Sequence, residues 1–248
     1  MSQRKQIQIG TVVGQSEVAA NTFIISIREP QLVRQVKPGH FVNVSLPSRT
    51  NANLLKRPFS IYGTDKEAIQ ILYKVKGDVT TVMTTLQKGD EVELLGPLGN
   101  TFTLPKKKKV LLVGGGIGVA PLIYLYDRLK AHNEVKILHG VRTRQEAMVW
   151  ANLPVQTHVD EEVGHYVCAG FEKVIRQHEA QHVVTCGPIP MMKEIVEASA
   201  RAGVSCEVSL EARMACGFGV CLGCVIETKS GYKKVCSDGP VFDGALLW

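Results

Sequence analysis

Aromatic residues are scarce in this chain of 248 residues, with two Trp, six Tyr and seven Phe, and long apolar runs are missing altogether. No stretch approaches the roughly 20 consecutive apolar residues that a bilayer-spanning helix needs, so no membrane association is expected. Met1-Ser2-Gln3-Arg4-Lys5-Gln6 leads directly into strand-like alternation, without the apolar core of a secretion signal. The expectation is a cytoplasmic protein. Charge of one sign is also lacking: the net charge is a mild +6, spread along the chain. Its densest run, Lys106 to Lys109, precedes an apolar strand and fits a solvated loop better than a nucleic-acid surface. Steering of an acidic partner or a phosphorylated cofactor is the alternative for these lysines. There are no internal repeats and no low-complexity segments.

Three regions are present. Residues 1–103 carry short β-rich segments: Ile7 to Val13, Thr22 to Ile27, Gly39 to Leu46, Pro58 to Tyr62, Ile69 to Val75 and Glu91 to Leu95. Pro30, Pro38-Gly39, Gly63, Gly77, Gly89-Asp90 and Gly96-Pro97 punctuate them, which predicts an antiparallel barrel or sandwich with one short helix near Val79 to Leu86. Residues 104–209 change pattern. Val110 to Val113 is continuously apolar, as in a parallel strand buried on both faces. Helical spacing comes next over Val119 to Leu129, then a strand at Val135 to His139 and a helix at Arg144 to Leu153. His182 to Cys186 and Ile189 to Ala202 repeat the unit, predicting an α/β domain with a parallel sheet. Residues 210–248 are too short and too rich in glycine and cysteine for a core of their own. Something other than apolar burial is expected to hold that subdomain together.

Seven cysteines are an odd number for a disulfide framework, and four of them fall between 216 and 248. Cys216, Cys221, Cys224 and Cys236 are spaced C-x4-C-x2-C-x11-C. Thiolates are soft ligands for iron–sulfur clusters or zinc. The x4-x2 spacing is the plant-type pattern of a [2Fe–2S] centre, in which a tight loop wraps the cluster and a distant cysteine closes the set. Gly217, Gly219 and Gly223 suit such a loop, because they admit positive φ and close backbone approach. A four-cysteine structural zinc site is the rival, although zinc sites more often pair two C-x2-C knuckles. Cys168 and Cys206 are expected to be small core residues.

Gly114-Gly115-Gly116-Ile117-Gly118 succeeds a buried strand and opens a helix, where glycines can let a dinucleotide pyrophosphate meet backbone amides. A tight turn without any ligand would look the same. The G-x-G-x-x-G pattern fails at Val119, and Val141-Arg142 stands where a ribose-binding carboxylate would be expected. Cys186-Gly187-Pro188 supplies a second strand-to-helix turn in the same sheet.

In this order the pieces resemble the ferredoxin-reductase superfamily and, within it, the electron-transfer subunits of NAD-dependent, two-protein dihydroorotate dehydrogenases. The resemblance spans essentially the whole chain. It rests on Arg57-Pro58-Phe59-Ser60, Leu72-Tyr73-Lys74, Gly96-Pro97-Leu98-Gly99, the glycine loop, Cys186-Gly187-Pro188 and the cysteine cluster joined to Asp238-Gly239-Pro240-Val241-Phe242. It implies a FAD-binding β-barrel, an NAD-binding α/β domain and a [2Fe–2S] subdomain. By the same similarity Arg57 would pair with the FAD pyrophosphate. Ser60 would donate near flavin N5, with Phe59 beside the ring. Leu72, Tyr73 and Lys74 match a second FAD-contacting strand. Val79 and Thr80 fall where the family often has Gly-Thr, and valine there is expected to remove backbone freedom. Gly116, Gly118, Cys186 and Gly187 would form the nicotinamide side. The nucleotide implied is NAD(H), with Arg142 and Arg144 leaving NADP open.

The implied partner is an FMN-containing catalytic subunit, in a heterotetramer of two subunits of each kind. The implied role is the relay of electrons from dihydroorotate oxidation to NAD+ in pyrimidine biosynthesis. No acid–base catalytic residue is assigned to this chain. A similar subunit of a ferredoxin–NADP oxidoreductase, sulfide reductase or hydrogenase is the enzymatic alternative. A zinc-stabilised nucleotide-sensing module is the non-enzymatic one.

Overall fold

The computed structural model describes residues 6–46, 55–148, 150 and 153–248. The expectation for Met1 to Lys5 lies outside them. The first domain contains β1 (Gln6–Ala19), β2 (Thr22–Arg28), α1 (Pro30–Val33), β3 (Phe41–Ser45), β4 (Arg57–Ser60), β5 (Gly63–Asp65), β6 (Ala68–Lys74), α2 (Asp78–Met83) and β7 (Glu91–Leu98). Its strands form one antiparallel sheet in the order β4-β3-β7-β1-β2-β6-β5. Beyond β4, Ile61 donates its N–H to His40 O and Tyr62 donates to Gln70 O, so the chain crosses from one end of the sheet to the other and draws it round. Alternation along the strands sends Val12, Ile25, Ile27, Val42, Val44, Ile69, Ile71, Tyr73, Val92 and Leu94 into one core. Gly96-Pro97 was expected to break a strand and instead lies inside β7. There Val42 packs where a Gly96 side chain would have to go, 2.7 Å from its Cβ position.

The second domain contains β8 (Lys109–Gly115), α3 (Ala120–Leu129), β9 (Glu134–Val141), β10 (Val155–Val159), α4 (Asp160–Val163), α5 (Phe171–Gln177), β11 (His182–Cys186), α6 (Ile189–Arg201) and β12 (Ser205–Ser209). After these come a hairpin of β13 (Val225–Thr228) and β14 (Gly231–Lys234), then β15 (Val241–Asp243) and α7 (Gly244–Leu247). The six-stranded sheet runs β10-β9-β8-β11-β12-β15, parallel except for β15. Alternate residues of the buried strands face opposite layers. Leu111, Val113 and Val183 pack toward α5 and α6. Val110, Leu112 and Val184 pack toward α3. That is why these strands are apolar without interruption. Among the described residues no helix is long and apolar enough to cross a membrane.

Two further expectations fail. The helix foreseen from Arg144 to Leu153 is only a 3-10 turn, Arg144–Glu146; Val149, Ala151 and Asn152 lie outside the described residues. Its first turn is drawn elsewhere, because the Glu146 carboxylate accepts from the Arg142 N–H and from Lys74 Nζ, and Trp150 meets His139 edge-on. Nor is the C-terminal region held without apolar burial. Leu210, Val235 and Phe242 are buried in the core beneath α5 and α6, and Val241 in the one beneath α3. Each such side chain contributes roughly 1.5–3 kcal/mol, and β15 adds the sixth strand of the sheet.

Candidate functional site

All nine residues expected around a flavin, Arg57 to Ser60, Leu72 to Lys74, Val79 and Thr80, line one cleft of ≈ 420 Å³. Strands β4 and β6 place seven of them. Strand β4 is an edge, which tolerates Pro58 because no ladder hydrogen bond is lost there. Arg57 donates from Nη1 to Leu55 O at 2.8 Å, holding the guanidinium at the cleft. The Tyr73 ring stacks on Phe23, with centroids 5.6 Å apart, and meets Phe59 edge-on. Its hydroxyl donates to Gln15 Oε1 at 2.9 Å, so the side chain is anchored in the barrel core and offers the cleft no donor. Burial holds that phenol above its ordinary pKa. Lys74 pairs with Glu146 at 2.6 Å, joining the barrel to the turn after β9. The hydrogen bond from Lys74 holds the Glu146 carboxyl below its usual range.

Val79 corrects a further expectation. It sits in α2 with its side chain buried in the barrel core, so the backbone there is helical and valine removes nothing the turn needs. Thr80 accepts at Oγ1 from the N–H groups of Lys76 and Gly77, at 2.9 and 3.1 Å.

The two turns of the parallel sheet interlock. A Cβ on Gly118 would lie 2.4 Å from the Cys186 carbonyl oxygen, and one on Gly187 would lie 2.9 Å from Gly115 Cα. Only glycine allows that approach. Gly116, at φ +52, presents its carbonyl to His139 Nε2 at 3.0 Å. Burial pushes the His139 imidazole down to about 4, so Nε2 donates from a neutral ring. The Cys186 thiol is buried and held above its ordinary pKa, first by burial and then by the charge of Glu211. What Cys186 presents at the turn is backbone. None of Gly116, Gly118, Cys186 and Gly187 lines the cleft itself; Ile117 and Ala120 beside them do. Arg144 is held in a two-pronged pair with Glu162, at 2.7 and 2.5 Å.

Cys216 is half-buried, Cys221 exposed, and Cys224 and Cys236 buried; all are free thiols. Positive φ at Gly217, Gly219 and Leu222 curls the loop. The Phe218 and Cys221 N–H groups point at Cys216 Sγ, each at 3.5 Å. Burial works to raise the Cys216 thiol, but these N–H groups and that of Val220 hold it down at about 6. The hairpin explains the x11 gap: Val225 pairs with Lys234, which folds Cys236 back so that its N–H donates to Cys224 Sγ at 3.4 Å. Burial and then Cys224 push the Cys236 thiol up to about 12.

Among the described residues no three His, Cys, Asp or Glu side chains form a set for a metal ion. The donor chemistry and the N–H groups turned toward sulfur nonetheless suit a thiolate-ligated cluster. No local pattern signals that residues before the loop return to the cleft: Glu211, Ala212 and Met214 line it, with Pro240 and Phe41.

The family model described as the iron-sulfur cluster binding domain of dihydroorotate dehydrogenase B matches residues 211–247. Over 238 residues the chain is 37% identical to the electron transfer subunit of dihydroorotate dehydrogenase B (NAD(+)) from Caldanaerobacter subterraneus subsp. tengcongensis, covering 92% of this chain and 91% of that one. The chain belongs to this family of electron-transfer subunits. The subunit from Clostridium acetobutylicum is 38% identical over 221 residues, covering 86% and 87% of the two chains. Solved reductases share the three-dimensional architecture. A solved NADH-dependent reduced ferredoxin-NADP oxidoreductase superposes with a TM-score of 0.84 at 25% identity, over 97% of this chain and 90% of that one. Phthalate dioxygenase reductase shares the fold, with a TM-score of 0.66 at 17% identity over 93% and 94%.

Proposed function

We propose that this chain is the NAD-reducing arm of a dihydroorotate dehydrogenase complex, holding FAD in the cleft and a [2Fe–2S] cluster on Cys216, Cys221, Cys224 and Cys236. One observation carries this reading: Ala212 and Met214, just ahead of the first thiol, line the same cleft as Arg57 to Ser60. A flavin held there would supply hydride exchange with nicotinamide and single-electron exchange with an iron–sulfur centre. The chain's own residues bind and orient. Arg57 supplies the cation for a pyrophosphate, and its planar fork suits phosphate oxygens. Ser60 supplies a hydroxyl, while Phe59 supplies ring surface and Tyr73 backs it from the barrel core. The interlocked turns at Gly116 to Gly118 and Cys186-Gly187 form the nucleotide side, with His139 fixing the Gly116 carbonyl. Engagement of Arg144 by Glu162 supports NAD over NADP, since that guanidinium is already matched by a carboxylate. Free thiols throughout fit a reducing, cytoplasmic setting.

The partner is the FMN-holding subunit that oxidises dihydroorotate, and the assembly is a heterotetramer. Purified anaerobically, the chain is expected to show flavin absorption with broad visible iron–sulfur bands, and iron matched by inorganic sulfide. Co-purified with its partner, it is expected to oxidise NADH in an orotate-dependent manner. One bound zinc without sulfide, or a complex to which orotate is inert, would overturn the assignment.

A further inference from the structure

Asn43 stands in the middle of β3, fully buried, paired with Pro58 of β4 on one side and Leu95 of β7 on the other. Its neighbours Val42 and Val44 face the barrel core. Phe41, which shares Asn43's face, packs in the core that contains Cys224, Val235 and Cys236. Asn43 Nδ2 donates to the Cys216 carbonyl at 3.3 Å. Gly217 lies so close that a Cβ there would be 2.3 Å from the same Nδ2, at φ +78. Asn43 Oδ1 has no partner among the described residues. A fully buried amide with one unmet acceptor is a poor choice for the barrel's own stability, where an apolar side chain would cost less. The asparagine is explained by what it holds.

We infer that Asn43 is a positioning residue that fixes the cysteine loop against strand β3, the neighbour of β4, and so sets the placement of the cluster relative to the flavin. This rests on Cys216 being a cluster ligand, as proposed above. Iron and sulfide analysis of the unaltered protein tests that premise separately from the role of Asn43.

The test is Asn43→Leu in the full chain, loaded with FAD and cluster and assembled with its partner. The variant is expected to keep its flavin, its melting temperature and its rate of flavin reduction by NADH. Electron transfer from flavin to cluster, monitored by stopped-flow absorbance, should slow by about tenfold, the population shift that one buried hydrogen bond can command. The g-values of the reduced cluster should shift with it. Gly217→Ala attacks the contact from the other side and should give the same phenotype. Its effect should be smaller in an Asn43→Ala background, where the Cβ no longer meets an amide. Unchanged transfer rates and g-values in both single variants would overturn the inference. So would loss of flavin and NADH reactivity in Asn43→Leu together with the cluster signal, because Asn43 would then serve the barrel fold.

Discussion

His139 lies in the interior beneath the glycine loop, donating to Gly116 O, with Nδ1 unpartnered among the described residues. Its pKa falls from 6.5 to about 4 on folding, chiefly through burial. The unfolded chain therefore binds more protons between those values, and stability must fall as pH drops through that window. Between pH 7 and pH 5 this one group should cost about 2 kcal/mol. His139→Gln keeps a donor without the titration, so denaturant melts at the two pH values should differ less in the variant. A second residue-scale test is Gly118→Ala. Its Cβ would meet backbone at Cys186 and not a side chain that can swing away. Overpacking of about 1–3 kcal/mol is expected at the interlocked turns. Catalytic efficiency for NADH should fall steeply while flavin content holds.

Elements join the two ends of the chain through Asn100, just past β7. Its backbone N–H donates to Gly239 O, its Nδ2 donates to Asp238 O and Val241 O, and its Oδ1 accepts from the Val241 N–H. Strand β15 is thus pinned on one side by β12 and on the other by the barrel. Asn100→Ala removes three side-chain bonds of about 1 kcal/mol each. Hydrogen exchange at the Val241 amide should then speed up, with α3 left protected. The hairpin β13–β14 plays a different part. It converts a long sequence gap between Cys224 and Cys236 into a short spatial one, while β15 beyond it forms the edge of the α/β sheet.

Taken whole, the molecule exposes apolar side chains where its cysteines come nearest the surface. Val220 is 72% exposed and Leu222 61%, flanking the exposed Cys221. Clustered apolar exposure marks interaction surfaces, and the proposed relay needs electrons to cross between the partner and this loop. Val220→Asp leaves every thiol in place and adds a charge to that surface. Affinity for the catalytic subunit should fall by at least about tenfold by titration, the order expected for a charge desolvated in an apolar contact. The visible spectrum of the free subunit should not change. A full-strength complex with the variant would place the docking surface elsewhere.

Local chemistry made much of this legible in the residues alone. Buried parallel strands declare themselves by unbroken apolar runs, as at Val110 to Val113. Glycines at strand ends and the x4-x2 cysteine spacing carry their geometry within a few residues. What depends on distant partners did not show. Arg144 to Leu153 has helical spacing, yet Glu146 is claimed by Lys74 of another domain. The short helix foreseen from Val79 is present as α2, but burial of Val79 in the barrel core, and not stiffening of a phosphate turn, is what that valine does there. The tail is too short and too rich in glycine and cysteine for a core of its own, and its apolar burial is against sheets formed by the preceding 209 residues. Side-chain type and spacing determined which cofactor chemistry the chain can support. Only tertiary packing decided that Ala212 and Met214 share a cleft with Arg57 to Ser60 and that Cys216 meets Asn43, since a contact across 173 positions leaves no local periodicity to find.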